Sequence, residues 1–81
     1  MEPLDRRIAL MRTKPRVRLT DLARVCRVSP ASIARVLDGQ STSDRIQRVI
    51  AKAIGQPVED VFPERYRKAQ REREIDQRLA G

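Results

Sequence analysis

The sequence predicts an all-α protein, with four to five short helices in one compact domain and a charged helical tail behind them. Three observations predict this class. Apolar residues recur at spacings of three and four along most of the 81-residue chain, which collects them on one side of a helix. No segment shows the period-two alternation that a half-buried strand needs. Proline, glycine and serine stand between the periodic stretches, where helices start and stop.

From Pro3 to about Thr13, Leu4, Ile8 and Met11 fall at i, i+4 and i+7, which assigns them to the inward face and leaves Asp5, Arg6, Arg7 and Arg12 outside. The stretch "TKPRVR" interrupts this helix, because Pro15 cannot continue the backbone ladder and biases Lys14 toward an extended conformation. A second helix, about Leu19 to Cys26, places Leu22, Ala23 and Cys26 on one face, with Asp21 in its first turn, where the helix dipole favours an acid. Ser29 as cap and Pro30 at the first helical position open a third helix to about Asp38, with Ile33, Val36 and Leu37 apolar and Gly39 as its left-handed stop. After the polar "QSTS", Asp44 and Gln47 have capping-box spacing and open a fourth helix through Ile46, Val49, Ile50, Ala53 and Ile54. Gly55 and Pro57 end it. Val58, Val61 and Phe62 form a short fifth turn that closes the core, terminated by Pro63.

The tail, "ERYRKAQREREIDQRLAG", combines strong helix formers with opposite charges at i, i+4: Glu64 with Lys68, Lys68 with Glu72, and Glu74 with Arg78. Its apolar residues, Tyr66, Ala69, Ile75 and Leu79, make no continuous stripe. Two readings stay open, a solvated fraying helix or a helix docked on a second subunit. The chain divides into a domain over residues 1–63 and a tail over 64–81.

Lys and Arg number 18 against 11 Asp and Glu, a formal charge of +7, which makes a polyanion the default partner. Residues 1–63 hold 12 basic and 7 acidic side chains and the tail 6 and 4, so most of the excess belongs to the domain. Cys26 is the one cysteine and sits in an apolar pattern, as a small buried hydrophobe of a reducing compartment does. With no histidine and scattered carboxylates there is no zinc set, and no cofactor is expected. A nucleophile–base pair and a phosphate-cradling glycine loop are both missing, so an enzyme is not expected. The start, "MEPLDRRIAL", carries charges where a signal peptide needs its apolar run, and no stretch approaches the roughly 20 apolar residues of a membrane span. A soluble, cytoplasmic protein without a membrane or small-molecule partner is the expectation.

Two short helices joined by a three-residue turn describe a helix-turn-helix. In "LTDLARVCRVSPASIARVLD", the fourth, eighth, tenth, fifteenth and eighteenth places are the apolar Leu22, Cys26, Val28, Ile33 and Val36. The fifth is the small Ala23, where the helices cross closely. This pattern resembles the DNA-binding helix-turn-helix, and "VSPASIARVLDG" resembles the headpiece of the LacI repressor family. The following "IQRVIAKAIGQPVEDVFPERY" is similar to the end of lambda-repressor-like domains of the Cro and XRE type, and "VFPERY" to the close of the small Ner proteins of Mu-like phages. The resemblance spans residues 4 to 66. It departs from the pattern at the ninth place, where Arg27 replaces the usual glycine at a cost of about 1 kcal/mol if the left-handed angle is kept. Arg27 reads either as a solvated turn residue or as a phosphate contact.

A helix entering the major groove needs a slim amino end. Pro30, Ala31 and Ser32 provide one, and all three are assigned to base contact with Arg35. Ala31 offers a methyl for thymine and Ser32 a hydroxyl, whereas the Arg35 guanidinium can donate two hydrogen bonds to guanine O6 and N7. The competing reading for Arg35 is an ion pair with Asp38 at i+3. Phosphate contacts are assigned to Arg18, Arg27, Ser29, Gln40, Ser41, Thr42, Ser43 and Arg45, which flank the third helix in sequence. Lys14 and Arg16 read as a basic arm along the backbone or as an ordinary basic loop.

The resemblance implies a small dimeric transcription regulator, a repressor of the Cro or Ner kind in a phage or mobile-element setting. Its two recognition helices would read an inverted-repeat operator with half-sites about 34 Å apart. The sugar-binding domain of LacI proteins has no counterpart here, so control is expected from protein concentration or a partner protein. The alternative is a protein-interaction module, such as an antitoxin or antiactivator that wraps a partner with the charged tail. Single-strand or RNA binding is disfavoured, because Phe62 reads as core and Tyr66 alone makes no stacking platform.

Overall fold

The computed structural model describes residues 1–80, and within them all side chains except those of residues 65, 66 and 68–70. The tail pairs that use Lys68, and the tail positions Tyr66 and Ala69, lie outside the described side chains. Six helices follow one another, α1 Pro3–Met11, α2 Leu19–Cys26, α3 Pro30–Leu37, α4 Asp44–Ile54, α5 Val58–Val61 and α6 Pro63–Ala80, with no strand among the described residues. The all-α expectation holds.

Helices α2, α3 and α4 build the centre of the core. Leu22, Ala23 and Cys26 from α2 meet Ile33, Val36 and Leu37 from α3, and Ile46, Ile50 and Ala51 from α4 complete the layer. Val61 and Phe62, both fully buried, close it from below. Cys26 is a free thiol within this layer. The expected residues Val28, Val49, Ala53, Ile54 and Val58 pack at its margin, partly buried.

Helix α1 turns a different face inward from the one its apolar spacing suggests. Leu4 and Met11 are 67% and 59% exposed, whereas Arg6 and Leu10 are buried. Arg6 belongs inside because each of the three nitrogens of its guanidinium has a hydrogen-bond acceptor. Nε donates to the Val61 carbonyl at 2.7 Å and Nη1 to the Leu37 carbonyl at 2.8 Å, while Nη2 bonds to Glu64. Its cationic centre also lies 4.2 Å from the centroid of the Phe62 ring, a favourable approach of charge to a π face. A buried charge is tolerated when paired and fully hydrogen-bonded in this way.

Two helix starts also differ from expectation. The cap of α4 is Ser43, whose hydroxyl accepts from the Ile46 amide, and Asp44 stands one place inside the helix, paired with Arg48 at 2.9 Å. Gln47, assigned to the capping box, is buried. Pro63 ends α5 but also begins α6, so the tail is a continuous 18-residue helix that starts inside the assigned domain boundary. Residues 71–80 of that helix are exposed throughout, and Glu74 and Arg78 form no ion pair.

Candidate nucleic-acid interface

The turn between α2 and α3 is built by local hydrogen bonding. Arg27 closes α2 in the left-handed conformation, φ 57° and ψ 45°, as the ninth place of the motif requires. The Val28 amide donates to the Ala23 carbonyl at 3.0 Å and the Arg27 amide to the Arg24 carbonyl at 3.3 Å, the crossed closure of a helix that ends on a left-handed residue. With its backbone so fixed, the Arg27 side chain stands exposed.

Ser29 then caps α3. Its hydroxyl accepts from the Ser32 amide at 3.3 Å and lies 3.1 Å from the Ser32 hydroxyl. Pro30 and Ala31 are exposed on the first turn, whereas Ser32 is half-buried with its hydroxyl engaged by Ser29. The slim amino end is therefore open at Pro30 and Ala31. The Ser32 hydroxyl keeps hydrogen-bonding capacity beyond its contact with Ser29.

Arg35 lies one turn further along the same exposed face as Ala31. Its guanidinium makes no ion pair or hydrogen bond among the described residues. Asp38, the expected competitor, is held by Arg7, whose Nη2 donates to both carboxylate oxygens at 3.0 Å. The charge that would have drawn Arg35 back onto its own helix is thus occupied from α1. Beneath it, Ile33, Val36 and Leu37 bind the opposite face of α3 to the core.

The carboxyl end of α3 is fixed as firmly as its start. Gly39 adopts φ 77°, and the Gln40 amide returns to the Arg35 carbonyl at 2.9 Å. The Leu37 carbonyl, left over by the end of the helix, is satisfied by Arg6. Arg6 and Arg7, neighbours on α1, so hold α3 from its far end. Neither residue is legible as a site element in the sequence, because their partners lie 31 or more places away.

The assigned phosphate contacts divide by structure. Arg18, Arg27, Gln40, Ser41, Thr42 and Arg45 all present exposed side chains before and after α3. Arg18 precedes the first residue of α2, where its amide donates to the Asp21 carboxylate at 2.9 Å. Ser29 and Ser43 spend a lone pair on capping α3 and α4, yet each hydroxyl proton remains able to donate. Arg45, on the first turn of α4, has no acidic partner among the described residues. The arrangement presents a slender helix end and a guanidinium between two cationic margins, which matches the geometric and electrostatic demands of duplex DNA.

Comparison with known proteins agrees. A family model described as winged helix-turn-helix DNA-binding matches residues 6–78, from the buried arginine of α1 to the last turn of α6. No curated protein and no solved structure matches the chain. With no strand among the described residues, the motif stands here without a β-wing beside it. The match covers most of the chain and includes every residue of the turn and of α3, and on that ground the protein belongs to the winged helix-turn-helix DNA-binding family.

Proposed function

We infer that this protein is a sequence-specific transcriptional repressor of the Cro or Ner kind that works as a dimer in the cytoplasm. It would bind an inverted-repeat operator by placing α3 in successive major grooves. The observation that carries this reading is the exposed guanidinium of Arg35, without a partner among the described residues, one turn beyond the open Pro30–Ala31 end of a helix anchored at both termini. In the groove Arg35 donates two hydrogen bonds to guanine, Ala31 contacts a thymine methyl, Pro30 packs against the base edges and Ser32 is the adaptable partner. Arg18, Arg27, Ser29 and Arg45, with Gln40 to Ser43, set the register through phosphates. A dimer is needed because one short helix makes too few base contacts for a specific site, and two half-sites about one helical turn apart supply the rest.

Footprinting on the DNA upstream of the protein's own gene tests this reading. A symmetric protected region of about two helical turns is the expected result. Absence of protection at any sequence, together with a tight protein partner, would favour an antitoxin or antiactivator role instead.

A further inference from the structure

We propose that the outer half of α6 docks in an open groove between α1 and α2 of a second copy of this chain, and that this exchange is the dimer contact. The proposal rests on the dimeric reading above and names its surface. Two unpartnered features of the fold answer each other.

The first is the groove, about 630 Å³ in volume, which opens between the end of α1 and the start of α2. Leu10, Leu37, Val17 and Leu19 line its floor and Met11 its edge, with Arg7, Arg16 and Arg18 around it. Met11 is 59% exposed at the edge of the groove, on the outward side of α1. Arg7 is spoken for by Asp38, but Arg16 has no acidic partner among the described residues. An apolar floor with a free cation at its rim fits an apolar helix face that carries acids.

The second feature is such a face. Residues 72, 75, 76 and 79 fall at i, i+3, i+4 and i+7, so Glu72, Ile75, Asp76 and Leu79 share one side of α6. Ile75 is 49% and Leu79 81% exposed. The other side carries Arg71, Glu74 and Arg78, which suit solvent. At 1.5 Å per residue the helix is about 27 Å long, and the molecule extends to 50 Å while its other dimensions are 22 and 17 Å. A helix that stands clear of its own core can reach the core of a neighbour. Ile75 and Leu79 would then lie on the groove floor beside Met11, with Glu72 or Asp76 against Arg16. Arg18, at the end of the groove formed by the start of α2, keeps its phosphate role. Two α6 helices packed on each other are a poorer match, since Ile75 and Leu79 would face only their own copies and the four acids would gather.

Sedimentation of the full chain without DNA tests the exchange. The wild type is expected to dimerise reversibly between micromolar and millimolar concentration, and I75D/L79D to remain monomeric with the helicity and melting of the wild type at dilutions where that too is monomeric. Arg16→Glu should weaken dimerisation by about fivefold, the scale of an exposed ion pair, and E72R/D76R should restore it. A monomeric wild type overturns the proposal, as does a dimer that survives I75D/L79D. Loss of the dimer in the tail variant with no effect of Arg16→Glu or Met11→Asp assigns α6 to another partner surface and also overturns it. If I75D/L79D lowers only DNA affinity, α6 contacts the duplex and the exchange is wrong. Arg35→Ala should leave sedimentation unchanged while lowering operator discrimination by about 5- to 150-fold, so a failure of the dimer contact and a failure of DNA recognition are distinguished.

Discussion

At the scale of single residues, two arginines decide how the interface is made. Arg6 is the costlier to lose, because its guanidinium satisfies the Leu37 and Val61 carbonyls and Glu64 from inside the core. Arg6→Met should destabilise the fold by about 3 kcal/mol, the sum of two stranded carbonyls and a lost charged bond, measured by urea denaturation. Arg6→Lys keeps the charge but should recover only part of this, since an ammonium cannot reach three directions in one plane. Arg27 is the opposite case, a residue held in left-handed backbone at φ 57°. Arg27→Gly should raise stability by up to about 1 kcal/mol in the same assay, and should lower affinity for all DNA sequences equally if the cation meets a phosphate. These two positions also differ in legibility. Arg27 is readable because the motif is local and its ninth place is a known turn, whereas Arg6 reads as solvent-facing because its partners arrive from α3, α5 and α6.

The elements were legible in proportion to how local their causes are. Helix α3 follows from its own sequence: Ser29 caps it, Pro30 starts it, Gly39 stops it, and Ile33, Val36 and Leu37 turn it. Ser29→Ala should cost about 1 kcal/mol by removing the cap, visible as a lower melting temperature. Gly39→Ala should cost a similar amount. At Gly39 the loss is purely conformational, since a Cβ there would meet nothing within 4 Å. Periodicity alone misplaces helix α1, because it equates apolar with inward. Its Leu4 and Met11 face out, and the inward places go to Arg6 and Leu10, a preference set by what the rest of the fold offers as partners. The start of α4 fails for a smaller reason, since Ser43 and Asp44 are both good caps and the one nearer the turn takes the role. Within the candidate site, the exposure of Ala31 and Arg35 was readable from the helix period, while the capture of Asp38 by Arg7 was not.

Across the whole molecule, a formal charge of +7 sits on 81 residues, and among the described residues three arginines, Arg6, Arg7 and Arg48, are in ion pairs. Affinity for duplex DNA should therefore fall steeply with salt, with a logarithmic slope near −0.9 for each phosphate neutralised. Titrations at several salt concentrations check this, and a flat response would remove DNA from the account. Among the described residues no helix is long and apolar enough to cross a membrane. The fold thus devotes its anchoring contacts, Ser29 at one end of α3 and Arg6 with Arg7 at the other, to holding one helix outward. The most direct test compares wild type and Arg35→Ala on the footprinted operator and on unrelated duplex at one salt concentration. The ratio of the two affinities should fall about 5- to 150-fold, the equivalent of about 1–3 kcal/mol, while binding to unrelated duplex changes little. An unchanged ratio would mean that Arg35 does not read bases and that α3 is not the recognition helix.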